Sequence, residues 1–484
     1  MDRRYQMYID GKWVNAVSEM FFDDYNPFTG EIYARVANGG EGDAKRAIDA
    51  ASKAFPSWAA TTPSEKRALF LKAADLLEKR KDEIALLLAE ETGAAIIFGT
   101  FQVLLGIETF REAALQVHRV TGKVIPSELA GSFSLVLRQP VGVVGGISPW
   151  NAPLLLSLRG SCFSIAYGNT AVLKPSAESP VSGGVVLAEI FEEAGFPKGV
   201  LNVVTNGPGR SVEIGDQFIS DRRIKRITFT GSTETGRKLA EKAGKHLKKI
   251  SLELGGNDPF IILKDADIDY AVNAAAFGRF THQGQICMSS KRIIVEKPIA
   301  KEFLEKFLKK VSGLKVGDPR NPDTVIGPLI NQSQIETLKA QVKKAVTDGA
   351  QLLCGGKHEG LCYYPTVLTH ITEEMELFHQ EVFGPVAPVI VVEDSEEALQ
   401  VANNSLYGLS SGVITNDLQK GLEIAERLDA GVTHINDTTL PYEVHAPMGG
   451  MKDSGWGKSG MEALEEFTEI RWVTLQKTRR DFPF

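Results

Sequence analysis

From residue 170 onward, short β-branched runs alternate with amphipathic helical patterns, and this alternation restricts the fold more than any other feature of the chain. Ala171-Val172-Leu173 is followed by a helical pattern ending near Gly195, Val200 to Val204 by one around Val212, and Ile224 to Phe229 by one beginning near Thr233. A second series follows Glu253: Phe260 to Leu263, Ile293 to Val295, Val386 to Val392, Gly412 to Ile414 and Val432 to Ile435, again with helical patterns between them. Parallel strands need crossover connections, so strands that alternate with helices predict βαβ units. The expected fold class is α/β, with two doubly wound parallel-sheet domains that meet near the Glu253 strand. The N-terminal third reads as mainly helical. Thr62-Pro63-Ser64-Glu65 is a capping box with proline at the first helical position, Leu69, Ala73, Leu76 and Leu77 form an apolar stripe, and Gly93 is a stop. Val124 to Leu137 and Phe467 to Leu475 read as extended pieces outside both series. They are either edge strands or a small projecting sheet that pairs subunits.

At 484 residues the chain has room for several sizeable cores. A net charge of −7 and a pI near 5.8 argue against a general nucleic-acid or anionic-membrane surface. Met1-Asp2-Arg3-Arg4-Tyr5 has no apolar core of a secretory leader, and the uncharged stretch from Val141 to Leu158 is broken by Pro149, Asn151 and Pro153, so no membrane span is expected. Cys162, Cys287, Cys354 and Cys362 have neither disulfide-framework nor metal-ligand spacing. Reduced thiols in a cytoplasmic protein, without a metal, are the simplest reading.

Two residues carry the chemistry: Glu253 in Leu252-Glu253-Leu254-Gly255-Gly256-Asn257, and Cys287 in Gly284-Gln285-Ile286-Cys287-Met288. A thiolate can add to a carbonyl, and a carboxylate can activate the water that releases the product. His282 near Cys287 raises a rival, a Cys–His thiol esterase or hydrolase. Phe229-Thr230-Gly231-Ser232-Thr233-Glu234-Thr235-Gly236 joins a strand to a helix, and free N–H groups at that helix start can hold phosphate. Lys174-Pro175-Ser176 ends a strand of the same sheet, where ligands of open α/β sheets bind. Gly455-Trp456-Gly457-Lys458-Ser459-Gly460 matches a GxGxxG pattern, but too little chain follows it for a βαβ unit. In Gly207-Pro208-Gly209, Val212 stands where a third glycine is needed.

These residues together resemble the aldehyde dehydrogenase superfamily over nearly the whole chain. The resemblance rests on Pro149-Trp150-Asn151, Lys174-Pro175-Ser176, Phe229-Thr230-Gly231-Ser232, Glu253-Leu254-Gly255-Gly256, Gly284-Gln285-Ile286-Cys287, Glu381-Val382-Phe383-Gly384-Pro385 and Pro447-Met448-Gly449-Gly450-Met451-Lys452-Asp453-Ser454-Gly455. It implies that Cys287 attacks an aldehyde to give a thiohemiacetal, with the Asn151 amide and the Cys287 N–H as oxyanion hole. Hydride transfer to a nicotinamide then leaves a thioester, which Glu253 hydrolyses through water. It also implies NAD or NADP contacts from Ser148, Pro149, Trp150, Lys174, Ser176, Ala177, Gly209, Phe229, Thr230, Gly231, Ser232, Thr235 and Leu254, with Glu381 at the nicotinamide ribose and Phe383 near its ring. Residues 1–120 and 141–252 become the cofactor-binding domain and 253–455 the catalytic domain. Residues 121–140 and 466–484 become the oligomerisation segment of a homodimer or homotetramer.

One departure bears on the cofactor. Many NAD-specific members carry a glutamate where this chain has Ala177, with Glu178 only at the next position. Loss of that carboxylate removes a like-charge clash with a 2′-phosphate, so NADP⁺ acceptance is expected. Around the substrate, Asn151-Ala152-Pro153, Ile435-Asn436-Asp437-Thr438-Thr439 and His445-Ala446-Pro447-Met448 are similar to the benzaldehyde, vanillin and salicylaldehyde dehydrogenases. Small Ala152 leaves room for a flat ring. Arg159 faces a phenolate or carboxylate, or forms a salt bridge at a helix surface. Ile286 and Met288 flank the nucleophile, and Tyr442 and His445 are expected at the pocket mouth. An aliphatic aldehyde or succinate semialdehyde is the alternative, and Glu253 favours a free acid over a CoA ester as product.

Overall fold

The computed structural model describes residues 3–484; Met1 and Asp2, the first two positions of the segment considered as a leader, lie outside them. An eight-stranded sheet has at its centre the parallel strands Lys249–Glu253, Ile224–Thr230, Val143–Ile147, Thr170–Lys174 and Leu201–Val203, in that spatial order. Successive side chains of a strand point to opposite faces, so a sheet covered on both faces needs apolar residues at every position. Val144, Ala171 and Leu173 pack on the helices Pro63–Lys79, Ile96–Gln116, Pro153–Ala166 and Val186–Ala194. Val143 and Val172 pack on the other side with residues of Glu41–Ala60, Ser211–Ser220 and Thr233–Lys245.

A seven-stranded sheet repeats this logic. Its strands run Gln351–Cys354, Thr366–Thr369, Val386–Val392, Arg292–Glu296, Pro259–Ile262, Ser410–Ile414 and Val432–Ile435, with Gln351–Cys354 antiparallel to its neighbour and the other pairs parallel. Ile261 and Ile294 enter one core, while Phe260, Ile262, Ile293 and Val295 enter the core on the opposite face. Both doubly wound sheets are therefore present. The two extended pieces form a separate antiparallel sheet of Lys123–Ile125, Ser132–Pro140 and Thr468–Gln476, with a register running from Thr468 opposite Pro140 to Gln476 opposite Ser132.

Three local features differ from the sequence reading or extend it. The N-terminal third is helical only from Glu41 onward. Before it, Met7–Ile9 and Lys12–Val14 form a hairpin that extends the first sheet, turning through Asp10 (φ 52°) and Gly11 (φ 71°). The capped helix starts as expected, with Glu65 N–H donating to Thr62 Oγ1 at 3.3 Å and Thr62 N–H donating to Glu65 Oε2 at 3.0 Å. It stops at Lys79, and a second helix, Lys81–Thr92, runs on to left-handed Gly93. Arg80 marks the break, its guanidinium held by Glu83 and Glu189. The glycines of the GxGxxG match serve close backbone approach. Gly455–Trp456 is an edge strand beside Glu253, and a Cβ on Gly455 would lie 2.2 Å from the Leu252 carbonyl oxygen. Among the described residues, no helix is long and apolar enough to cross a membrane.

Candidate active site

The backbone that delivers Cys287 is strained and firmly held. Past the helix Ile268–Phe280, His282 (φ 51°), Gln283 (φ 54°) and Gly284 (φ 70°) are successive left-handed residues. Such a conformation costs about 1–3 kcal/mol at each non-glycine position and persists where the surroundings enforce it. The Gln283 side-chain amide donates to the carbonyls of Gly93 (2.7 Å) and Pro328 (2.9 Å), and His282 stacks on Phe98 with ring centroids 4.4 Å apart. On the far side of Cys287, Ser289 Oγ accepts from Arg279 Nη1 at 2.7 Å. Half-buried Cys287 has its thiol pushed up to about 11 by burial, against the pull of Lys291 and Arg159. Its resting form at neutral pH is the thiol. Burial holds His282 neutral, down to about 3, with its ring against Phe98.

Glu253 ends its strand as a buried carboxylate whose two oxygens have no hydrogen-bond partner among the described residues. Burial pushes it up to about 7, with Arg159 and Lys458 acting in the opposite direction. Arg159 Nη2 lies 4.0 Å from Glu253 Oε2 and donates to Thr230 Oγ1 at 3.1 Å, while Nη1 contacts Met448 Sδ at 3.0 Å. This arginine is buried, so the surface salt bridge considered for it is replaced by an interior contact with Glu253.

Cys287, Asn151 and Arg159 line one cavity of about 680 Å³. Ala152, Leu155, Leu156 and Arg159 form one stripe of the helix start, at the three- and four-residue spacing that stacks side chains on a single face. Ile286, Met288 and Tyr442 also reach the cavity, as expected. His445 does not. Its exposed imidazole turns toward Glu443, with Nε2 and Oε2 3.3 Å apart, and Glu443 reaches the lining in its place. Phe98, Phe101, Asp437 and Thr438 line the cavity too. The two phenylalanines come from a helix far away in sequence, and no local pattern distinguishes them from core. Glu253 is not among the lining residues; Arg159 is its link to the cavity. Asn151 Nδ2 donates to the Gln285 carbonyl at 2.9 Å, which orients the amide and leaves its second N–H.

The strand order reverses between Val143–Ile147 and Ile224–Thr230, which makes the crevice at their carboxyl ends a ligand site by topology. Ser148, Pro149 and Trp150 follow one strand, and Gly231 and Ser232 follow the other. Ser232 caps the helix Thr233–Lys245 by accepting from Thr235 N–H at 3.3 Å. Lys174 is buried, donates to the Pro175 carbonyl at 3.1 Å, and is brought down to about 8 by burial. Gly209 (φ 86°) faces open space. Trp150 and Phe383 meet edge to face at 5.5 Å. An apolar slot, a helix N-terminus and a lysine with donors to spare fit a nicotinamide dinucleotide. Several expected contacts have structural duties as well. Ser148 Oγ accepts from Ser157 Oγ at 2.6 Å, Thr230 Oγ1 accepts from Arg159, and Ser176 Oγ accepts from Glu178 N–H at 3.2 Å. The Phe229 ring backs Gly231, and Leu254 fills the space over Gly236. Ala177 is half-buried. Burial raises Glu178, and the Asn331 side chain draws it down. Glu381 accepts from Gly256 N–H at 3.1 Å. Lys291 and Asp258, a fully buried ion pair at 3.1 Å beside Glu381, carry no sequence signal that marks them.

The model described as "Aldehyde dehydrogenase family" matches residues 13–473. A vanillin dehydrogenase from Pseudomonas sp. strain HR199 is 44% identical over 476 residues, covering 98% of each chain. A salicylaldehyde dehydrogenase from Pseudomonas putida is 40% identical over 481 residues, covering 99% of each. Among solved structures, a salicylaldehyde dehydrogenase from Pseudomonas putida G7 complexed with salicylaldehyde superimposes with a TM-score of 0.97, at 39% identity and with full coverage of both chains.

Proposed function

The chain belongs to the aldehyde dehydrogenase family and is an NAD(P)-dependent aldehyde oxidoreductase, and from that premise we propose that it oxidises aromatic aldehydes to free carboxylic acids, accepting NADP⁺. The observation that carries the substrate reading is the cavity at Cys287. Its walls are Phe98, Phe101, Leu155, Leu156 and Ile286, with Ala152 leaving space for a ring. The relatives named for vanillin and salicylaldehyde support the same reading. A semialdehyde carboxylate suits the pocket poorly. The guanidinium of Arg159 already faces Glu253, and Asp437 and Glu443 add negative charge to the lining.

As thiolate, its proton passed to water, Cys287 forms the bond to the carbonyl carbon and the carbonyl electron pair moves to oxygen; that pair re-forms the carbonyl as hydride leaves, which gives the thioester. The Asn151 N–H left free by Gln285 and the Cys287 backbone N–H stabilise that oxygen. Lys174, Ser176, Trp150, Glu381 and the helix start at Ser232 would hold NAD(P)⁺, which would supply the hydride acceptor. Glu253, poised near 7, takes a proton from water as that water displaces the sulfur from the thioester. Both of its oxygens are buried without a hydrogen-bond partner among the described residues, so neither is committed elsewhere. For the adenosine end, Ala177 offers no carboxylate, and Glu178 is engaged with Asn331, whose Oδ1 already accepts from Gln334 N–H. A 2′-phosphate therefore meets Lys174 and Ser176 without a facing acid. The division into residues 1–120 with 141–252 for cofactor, 253–455 for catalysis and the Lys123–Ile125, Ser132–Pro140 and Thr468–Gln476 sheet for a homodimer or homotetramer belongs to the same reading.

The test is an aldehyde panel (benzaldehyde, vanillin, salicylaldehyde, hexanal and succinate semialdehyde) run with each nicotinamide cofactor and without CoA. Aromatic aldehydes should have kcat/KM values at least tenfold above the others, and NADP⁺ should be used. A semialdehyde preference removes the substrate reading, and strict NAD⁺ use removes the cofactor reading.

A further inference from the structure

Resting on the assignment of Cys287 as nucleophile, we propose that Lys291 is a positioning residue that joins the nucleophile to the carboxylate expected at the cofactor. Its side chain is fully buried and donates to the Cys287 carbonyl and to Asp258 Oδ2 (3.1 Å), with Glu381 Oε1 at 3.5 Å. One ammonium thus serves the nucleophile's own backbone and two acids. The surroundings are built for this arrangement. A Cβ on Gly256 would lie 2.6 Å from both the Cys287 oxygen and Asp258 Oδ2, and a Cβ on Gly255 would lie 2.4 Å from Glu381 Oε2. Both glycines of the Glu253-Leu254-Gly255-Gly256 motif are bare where this cluster passes. Asp258 is fixed independently, its Oδ1 accepting from Ser410 N–H at 2.6 Å.

The charged groups acting on the thiol are Lys291 and Arg159, which favour the thiolate, and Asp258 and Glu381, which oppose it. In a buried cluster, a cation divided between two carboxylates supports a third group less than an undivided one does. Lys291 therefore sets how readily Cys287 ionises, and Glu381 sets how much of Lys291 is available. A ligand engaging Glu381 thereby reaches the sulfur through one intervening side chain.

The test is the rate of iodoacetamide alkylation of Cys287 in the cofactor-free enzyme, followed by mass spectrometry from pH 7 to 10, in a background with Cys354 and Cys362 changed to serine. Below the thiol's midpoint, one unit of pKa is a tenfold change in thiolate. Lys291→Met is expected to slow alkylation about tenfold at pH 8, Lys291→Arg to restore most of the rate, and Glu381→Gln to raise it. If Glu381 acts through Lys291, its effect shrinks in the Lys291→Met, Glu381→Gln double variant. A folded Lys291→Met enzyme alkylated at the parent rate overturns the assignment. Should that variant fail to fold, an unchanged or slower rate in Glu381→Gln does the same. Absence of Cys287 alkylation in the parent enzyme at every pH would instead remove the nucleophile assignment itself.

Discussion

Glu253 shows at a single residue how a site trades stability for reactivity. A carboxylate normally ionises near 4.5, and burial lifts this one to about 7. The folded-state value lies above the unfolded one, so ionisation opposes folding. The penalty is absent below pH 4.5, grows through the interval and is complete above pH 7, where it is on the order of 3 kcal/mol. Glu253→Gln should therefore raise Tm at pH 8 and leave it nearly unchanged at pH 4.5, as differential scanning calorimetry can check. The same substitution should lower kcat by ~10²–10⁴-fold and let the thioester accumulate, visible as a mass increase on Cys287. In the parent enzyme kcat should fall as pH drops through about 7, and a profile flat from pH 5.5 to 8 would remove Glu253 as the base. Arg159 belongs to this scale too. At 4.0 Å it favours the ionised carboxylate without occupying the oxygens that water needs.

At the scale of elements, the site is assembled from strand ends and one helix start. The strand Lys249–Glu253 places the proposed base, and Gly255 and Gly256 beyond it carry the chain past Glu381 and the Cys287 carbonyl. Gly256→Ala puts a methyl group against backbone, which cannot swing away as a side-chain tip can. It should cost about 1–3 kcal/mol by overpacking and lower kcat/KM more than tenfold. Gly244, in the helix Thr233–Lys245 with nothing within 4 Å, is the control. Gly244→Ala should leave kinetics alone and stabilise by about 0.5–1 kcal/mol. Equal kinetic effects from the two would discount the close approach. Periodicity made the two βα series readable because both faces of each sheet are buried. The hairpin through Asp10-Gly11 carries a turn signal, aspartate–glycine between apolar runs, but its two strands of three residues each are too short for a period to show. The break at Arg80 had no such mark, because apolar spacing runs through both helices into one core.

For the molecule as a whole, the three-stranded sheet is the unfinished surface. Val124 is 70% exposed, Ile470 59% and Trp472 71%, a concentration of apolar side chains that single chains rarely leave in water. Its occupant in our reading is a second copy of the chain. Trp472→Glu should then reduce the mass measured by light scattering and remove the dependence of Tm on protein concentration that an assembling parent shows. A monomeric parent enzyme, or an unchanged assembly in the variant, would exclude this sheet as the interface.

The sequence by itself determined the two doubly wound sheets and marked Cys287, Glu253 and Asn151 for the roles we propose, because each lies in a local pattern: a period, a cap or a motif with its own spacing. Tertiary structure alone decided where Arg159 points, that His445 turns away while Glu443 turns in, and that Lys291 stands between Cys287 and Glu381. Those outcomes depend on which side chains meet in a dry interior, where burial and a few ångströms set charge and reach, and no spacing along the chain encodes that.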